Sequence, residues 1–200
     1  MSRYVKHLKK DAILSNILVK KIEIPISNSS ISVSLMNAVV SQQLNTQVAA
    51  IIWNRFLSLY AHQTPSCRQV LDTPIETLRS VGLSEAKAIY IKSVAAFCIE
   101  QKKAIQEIDH LSDEEVIDLL TQIKGVGVWT VQMLLMFTLG RVDVFAPDDG
   151  GIQQAMAALY DLDKSDKRTL KKKMIEISEN WKPYRTYACL HLWRWKDASS

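Results

Sequence analysis

The stretch from Leu120 to Ile152, LTQIKGVGVWTVQMLLMFTLGRVDVFAPDDGGI, decides how this chain is interpreted. A Gly-Val-Gly turn at 125–127 separates two helical patterns, and the second is a strongly apolar helix that ends at Gly140. Asp149 follows Trp129 by twenty positions (149 − 129 = 20). The stretch therefore combines a tight glycine turn between two helices with a carboxylate beyond the second helix.

The turn around Gly125 has the properties of a phosphate-binding device. Glycine admits positive φ and lets another backbone approach closely. The amides at the start of the following helix lack helical partners and suit a phosphate, while carbonyl oxygens on the other side of the turn suit a monovalent cation. An ordinary connection between helices is the alternative for a GxG turn taken alone. The carboxylate downstream favours the first interpretation and indicates an enzyme that acts on DNA.

The two aspartates, Asp148 and Asp149, lie between FAP and a pair of glycines. Aspartate is a preferred N-cap residue, and we expect Asp148 to cap the next helix. Asp149 would then lie in the first turn of that helix and face the glycine turn. A Mg²⁺ or Ca²⁺ site is the lesser alternative, because this stretch offers too few oxygen ligands.

The rest of the chain is predicted to be almost entirely helical. Only 22–26 and 31–33 have an extended pattern, and apolar residues at helical spacing predict one helix over about 34–60. Ser112 with Glu115 forms a capping-box pattern. Further helices are predicted over 150–160, 166–179 and 183–195. We expect a compact all-α protein of eight to ten helices, with two lobes and a groove between them.

Composition restricts the class of protein. Hydrophobic residues make up 48% of the 200 residues, which is enough for a substantial core, and the net charge of +4 permits an anionic partner without demanding one. The three cysteines form no CxxC unit, so a zinc site or an iron–sulfur cluster is not expected. The sequence shows neither a secretory signal nor an apolar run of about 18 residues, so we expect a cytoplasmic protein without a membrane partner.

Most aromatic and basic residues have an ordinary structural explanation. The aromatics of the C-terminal half are more often core than ligand contacts, but Trp129 lies between the turn and the carboxylate and is placed to stack on a base. The lysine run at 171–173 is interpreted as a solvated helix face. Lys124 and Arg185 are better candidates for phosphate contacts, because they lie near the motifs.

Four ordered motifs resemble the helix–hairpin–helix (HhH-GPD) superfamily of DNA glycosylases, and within it the DNA-3-methyladenine glycosylase II branch. The resemblance covers roughly residues 30–196. The motifs are the hairpin with Trp129 and DVFAPDD (143–149), VVSQQL (39–44), GLSEAKAIYIK (82–92) and WKPYRTYACLHLWRW (181–195).

The resemblance implies an all-α, two-lobed glycosylase fold with a helix–hairpin–helix motif and a DNA-binding cleft between the lobes. It implies a single domain over residues 1–200. One lobe would comprise about 34–140, with the hairpin at 121–130, and the other would comprise 1–33 and 141–200.

The resemblance also implies the chemistry. Asp149 matches the catalytic aspartate, and Trp129 occupies the position where bifunctional relatives carry a catalytic lysine. Without an amine nucleophile no Schiff base forms, so we expect a monofunctional glycosylase without lyase activity. Its expected reaction is the excision of alkylated purines, of the 3-methyladenine and 7-methylguanine class, by base flipping and hydrolysis of the N-glycosidic bond, which begins base excision repair.

The same resemblance assigns the contacts. The substrate-binding residues would be Trp129, Met133, Trp181 and Tyr184. The DNA-binding residues would be Gly125, Val126, Gly127, Lys124, Thr130, Gln43, Leu44, Asn45 and Arg185. Leu44 or Asn45 would be the wedge that fills the gap left by the flipped base. No cofactor is required, but main-chain carbonyls would hold a structural Na⁺ or K⁺ when DNA is bound, namely those of Thr121, Ile123 and Val126.

The expected partner is double-stranded DNA that contains damaged bases, and the expected state is a monomer, associated with the nucleoid if the source is bacterial. Two other functions stay open. The first is a glycosylase for another lesion, such as uracil, hypoxanthine or an oxidised purine. The second is a non-catalytic helix–hairpin–helix DNA-binding module, against which Asp149 argues, because phosphate binding gains nothing from a nearby carboxylate.

Overall fold

The computed structural model of the chain describes residues 2–19 and 21–198, and it is all-α over these residues. The described part contains twelve α-helices, three short 3₁₀ turns and no β-strand. The helices are α1 (Arg3–Leu8), α2 (Ile31–Ser41), α3 (Thr46–Ser58), α4 (Cys67–Asp72), α5 (Ile75–Ser80), α6 (Glu85–Glu100), α7 (Lys102–Gln106), α8 (Asp113–Leu120), α9 (Val128–Phe137), α10 (Gly150–Leu159), α11 (Lys167–Ser178) and α12 (Arg185–Ala198). The 3₁₀ turns are Leu14–Ile17, Ile108–His110 and Glu179–Trp181.

Side-chain caps fix where several helices begin. Ser112 forms the predicted capping box with Glu115 at the start of α8, and Ser84 caps α6 by accepting a hydrogen bond from the Lys87 amide. Ser66 forms a second capping box with Gln69 at the start of α4. Each cap satisfies backbone amides that have no partner within the helix, so the starting residue is well determined.

Two local predictions are wrong, whereas residues 22–26, with their extended pattern, lie outside any helix or strand. Residues 31–33, which have an extended pattern in the sequence, are the first turn of α2, which begins after Ser30. The single helix predicted over 34–60 is two helices, α2 and α3, because the chain turns at Gln43, whose φ is +57°. Helical spacing persists across this break, so hydrophobic periodicity did not reveal it.

The chain divides into two compact units. The first comprises residues up to Ile26 together with those from Leu135 onward, and the second runs from Ser27 to Leu134. The predicted lobe boundaries, 33/34 and 140/141, lie seven and six residues further along the chain (33 − 26 = 7; 140 − 134 = 6).

Each unit has its own apolar core. In the second unit α6 is central and packs against α2, α4 and α5, with Leu35, Met36 and Ile91 fully buried. In the first unit α10 packs against α12 and α11, around the fully buried Met156 and Trp181. Burying one such large side chain contributes about 1.5 to 3 kcal/mol to folding.

Burial shifts the pKa of two cysteines and one histidine in the cores away from neutral pH. Burial raises the pKa of the Cys98 and Cys189 thiols to about 12, so neither is a nucleophile near neutral pH. Burial, together with the charge of Arg194, lowers the pKa of His191 to about 4, so this imidazole is neutral at physiological pH. Within the described residues, no helix is both long and apolar enough to cross a membrane.

Candidate active site

The carboxylate segment begins helix α10, and Asp149 is its N-cap. The backbone of Asp149 is extended (φ −73°, ψ 123°), and its Oδ1 accepts a hydrogen bond from the Ile152 amide at 2.8 Å. The prediction that Asp148 caps this helix is therefore wrong. Both residues are good caps, and only the backbone, which turns helical after Asp149, distinguishes them.

Trp193, on α12, makes the second contact of Asp149. Its Nε1 donates a hydrogen bond to Asp149 Oδ1 at 2.8 Å. Gly151 makes room for this pair, because a Cβ at position 151 would lie 3.1 Å from Asp149 Oδ1 and 3.1 Å from the Trp193 ring. Two donors on one oxygen fix the orientation of the carboxylate. The sequence placed Trp193 among several C-terminal aromatics and gave no signal that singled it out.

Hydrogen bonds and an ion pair join residues 141–144, which lead to Asp149, to the start of α12. The Arg185 guanidinium makes a bidentate pair with Asp143, with Nε 2.9 Å from Oδ1 and Nη2 3.0 Å from Oδ2. Thr186, which is buried, donates from Oγ1 to the Arg141 carbonyl at 2.7 Å and accepts from the Val144 amide at 3.0 Å. Asp143 thus gives Arg185 a positioning role, and the predicted contact of Arg185 with DNA stays a prediction.

Trp181 belongs to the core rather than to the substrate site. Its side chain has no exposed surface, and its Nε1 donates to Asp11 Oδ2 at 2.9 Å. Tyr160 donates to the same oxygen at 2.7 Å. The predicted contact of Trp181 with substrate is wrong, because a side chain with no exposed surface offers no face for stacking. Tyr184 is half-buried and packs edge-on against His7, and its contact with substrate stays a prediction.

The hairpin lies between α8 and α9, and its conformation requires glycine at 125. Gly125 has a φ of +89°, and a Cβ there would lie 2.1 Å from Cγ of Tyr90. The Val126 amide closes the turn by donating to the Ile123 carbonyl at 3.0 Å. Gly127 differs from Gly125, because a Cβ at 127 would meet nothing within 4 Å. Gly125 is therefore required by the backbone conformation of the hairpin, whereas Gly127 leaves open space beside it.

The predicted hairpin contacts divide into exposed and buried positions. Lys124 and Gly127 are exposed, whereas the side chains of Val126 and Thr130 are buried. Thr130 Oγ1 accepts a hydrogen bond from Gln42 Nε2 at 3.3 Å. Val126 and Thr130 thus have only their main chain to offer to DNA.

The loop between α2 and α3 is tied to the hairpin by Gln42. The Gln42 Nε2 also donates to the Gly125 carbonyl at 2.9 Å. The main-chain carbonyl of Gln42 accepts a hydrogen bond from Lys87 Nζ at 2.7 Å. Gln43 and Leu44 are exposed on this loop. Asn45 is the N-cap of α3, with its side chain accepting from the Val48 amide at 2.9 Å. Of the two predicted wedge residues, Leu44 is therefore the better candidate, because the Asn45 side chain already holds the helix.

Trp129 lines an apolar groove of about 380 Å³ in the second unit. Leu44 and Trp53 line the same groove, with Asn37 and Ser41 as its polar members. Trp129 is half-buried, and Met133, one turn further along α9, is also half-buried. The groove brings the predicted stacking residue and the predicted wedge residue together beside the hairpin.

Oxygen atoms are the available cation ligands at the hairpin. The Ile123 carbonyl already accepts the Val126 amide, and a carbonyl oxygen has a second lone pair for a ligand. Among the residues that the structure describes, no group of three or more His, Cys, Asp or Glu side chains is arranged to hold a metal ion. The donor set at the hairpin consists of neutral oxygens and suits a hard monovalent cation.

The chain is similar to proteins of one known family. The family described as HhH-GPD superfamily base excision DNA repair protein matches residues 36–183. DNA-3-methyladenine glycosylase 1 of Schizosaccharomyces pombe is 40% identical over 162 residues, which cover 80% of this chain and 70% of that protein. The putative DNA-3-methyladenine glycosylase YfjP of Bacillus subtilis is 32% identical over 80% of this chain, which spans only 57% of its length.

Among solved structures, the 3-methyladenine DNA glycosylase Mag1 of Schizosaccharomyces pombe, in complex with abasic DNA, superposes with a TM-score of 0.85. The match covers 96% of each chain at 33% sequence identity.

Proposed function

Because the chain belongs to the HhH-GPD superfamily of base excision DNA repair proteins, we propose that it is a monofunctional DNA glycosylase that excises alkylated purines of the 3-methyladenine and 7-methylguanine class. The observation that carries the proposal is the setting of Asp149, whose carboxylate is held by the Ile152 amide and the Trp193 indole. A cap alone needs only the first of these contacts.

The substrate class follows from the leaving group. An unmodified base is a poor leaving group and needs an acid to protonate it. An alkylated purine such as 3-methyladenine is already cationic in the nucleotide and leaves as a neutral base. The proposed site, with one oriented carboxylate, supplies what such a substrate needs, because no proton has to be delivered to the base.

Asp149 acts on the sugar. As the bond from C1′ to the base nitrogen breaks, its electron pair leaves with the base and positive charge grows on the deoxyribose. The carboxylate stabilises that charge, water forms the new bond to C1′, and the released proton passes to Asp149. The contacts from Ile152 and Trp193 hold the carboxylate in place before the reaction, so little reorganisation is needed.

Trp129 supports both the substrate class and the absence of a lyase step. An indole offers its π face to a cationic base and has no amine that could form a Schiff base. Leu44, in the same groove, would occupy the space that the flipped base leaves in the duplex. Flipping costs a few kcal/mol, and least for a poorly paired base, so it adds to the preference for lesions.

The hairpin would bind the DNA backbone. Amides at the start of α9 would donate hydrogen bonds to a phosphate, and Lys124 is exposed beside them. The carbonyls of Thr121, Ile123 and Val126 would hold a Na⁺ or K⁺ that neutralises part of the phosphate charge. The partner is double-stranded DNA with a damaged base.

A panel of lesion-bearing duplexes tests the proposal. Duplexes with 3-methyladenine, 7-methylguanine, uracil, hypoxanthine or 8-oxoguanine are incubated with the chain, and the released base and abasic sites are measured. We expect release of the two alkylated purines and no strand cleavage by the protein. Release of only uracil, hypoxanthine or 8-oxoguanine would indicate the other-lesion glycosylase, and binding without any release would indicate a non-catalytic module.

A further inference from the structure

Helix α11 carries an unusual share of the positive charge of the chain. Five of its twelve residues are basic and one is acidic, an excess of four (5 − 1 = 4). The whole chain has 25 basic and 21 acidic residues, also an excess of four (25 − 21 = 4). The apolar face of α11 is buried through Leu170 and Met174, so the basic residues lie on its outer faces. This concentration of charge is suited to a polyanion.

Lys171 connects this helix to the carboxylate segment. Its Nζ lies 2.7 Å from both Oδ1 and Oδ2 of Asp148, the residue that precedes Asp149. Lys171 is the one basic residue of α11 that is half-buried, whereas Lys172 and Lys173 are exposed. The ammonium group is therefore held by the residue that precedes the proposed catalytic residue in the chain, within the same unit.

The charge of Asp148 creates a problem for a DNA-binding site. Every sugar in a DNA strand is flanked by phosphates, so a strand whose sugar reaches Asp149 brings a phosphate close to the neighbouring residue. An unpaired carboxylate at 148 would repel that phosphate. Lys171 neutralises this carboxylate, and because an ammonium group has three N–H donors, it retains at least one for a phosphate oxygen.

We propose that Lys171, held by Asp148, is a second phosphate contact of this protein and is separate from the hairpin. Lys171 binds the DNA strand that presents its sugar to Asp149. The inference rests on the proposed function, because it takes Asp149 as the point that the sugar reaches. Its occupant is the phosphodiester backbone of DNA, and the hairpin supplies the other contact through main-chain amides.

The salt dependence of DNA binding tests this contact. Dissociation constants are measured over a range of NaCl concentrations for a duplex that carries a stable abasic-site analogue, so no chemistry is required. Lys171→Ala should lower the magnitude of the slope of log Kd against log salt by about one, the amount expected for one lost phosphate contact. Lys172→Ala is the matched control, because Lys172 is the next residue on the helix and pairs with Glu176 at 3.9 Å. It should keep the slope of the unmodified chain.

Two further measurements separate the possible outcomes. Asp148→Asn should tighten binding at low salt, because the competing carboxylate is removed while Lys171 stays. Equal slopes for the two alanine variants, or weaker binding by Asp148→Asn with an unchanged unfolding midpoint, would overturn the contact. Base release from a 3-methyladenine duplex by the unmodified chain is measured in parallel, and its absence would refute the proposed function rather than the slope result.

Discussion

The hairpin and the carboxylate segment are built in opposite ways. The hairpin presents main-chain groups. The Tyr90 ring lies beside Gly125, and the Gln42 side chain donates a hydrogen bond to the Gly125 carbonyl. The carboxylate segment presents one side chain, Asp149, and both a main-chain amide and the Trp193 indole are used to aim it. In the proposed function the first holds a backbone that is the same at every nucleotide, and the second acts on one sugar.

This difference predicts how each region responds to mutation. Main-chain donors survive most side-chain replacements, so binding by the hairpin should depend on its conformation rather than on any one functional group. A carboxylate has no such redundancy, so replacing one atom in Asp149 should remove the chemistry. The three substitutions below test this contrast.

Asp149→Asn should give the largest effect. Asparagine caps a helix as well as aspartate does, so α10 should begin at the same residue and DNA binding should persist. The charge that stabilises the sugar is lost, and we expect single-turnover base release to fall about 100- to 1000-fold. Asp149→Ala should show the same loss and in addition lower the free energy of unfolding by about 1 kcal/mol. Normal release by the asparagine variant would refute the catalytic assignment.

Gly125→Ala should damage the hairpin through its conformation. The new Cβ would lie 2.1 Å from the Tyr90 ring at a φ of +89°, and we expect a loss of about 2 to 4 kcal/mol in the free energy of unfolding, measured in urea. Gly127→Ala is the matched control, since its Cβ would meet nothing within 4 Å. Its stability should be unchanged while its DNA affinity falls several-fold, because the methyl group occupies space that a phosphate would need. Equal destabilisation by both would contradict the separate roles of the two glycines.

Trp193→Phe should give the smallest of the three effects. Phenylalanine keeps an aromatic ring but removes the Nε1 donor, so Asp149 Oδ1 loses the indole hydrogen bond and keeps that of the Ile152 amide. We expect base release to slow about tenfold, because one hydrogen bond to a charged group is lost. DNA affinity should stay the same, as measured by titration. Trp195→Phe, two residues further along α12, serves as the control, and a similar slowing there would show that Trp193 has no special role.

The sequence predicted the helical class and several helix starts from local signals. Ser112 with Glu115 is an example, because a capping box is a contact between residues three apart and is visible in sequence. The helices predicted over 150–160, 166–179 and 183–195 are observed at Gly150–Leu159, Lys167–Ser178 and Arg185–Ala198. Where two neighbours were equally suited, local signals did not identify the correct one. This is the case for Asp148, which we expected to cap α10, and Asp149, which does cap it.

Contacts between residues far apart in the chain could not be predicted from the sequence. Trp193 and Asp149 are 44 positions apart, and Gln42 and Gly125 are 83 apart. Trp181 shows the converse, because its motif suggested a substrate contact, whereas its indole serves Asp11 in the core. An aromatic residue in a motif has the same sequence signature whether it supports the site or touches the ligand.

The double use of Asp149 as helix cap and proposed catalyst has a consequence for how the protein would be inactivated in nature. An aspartate codon becomes an asparagine codon by a single G-to-A change. Because asparagine preserves the cap, the product of that change would fold, accumulate and occupy lesions without removing them. Such a variant would compete for damaged bases with any enzyme that can remove them.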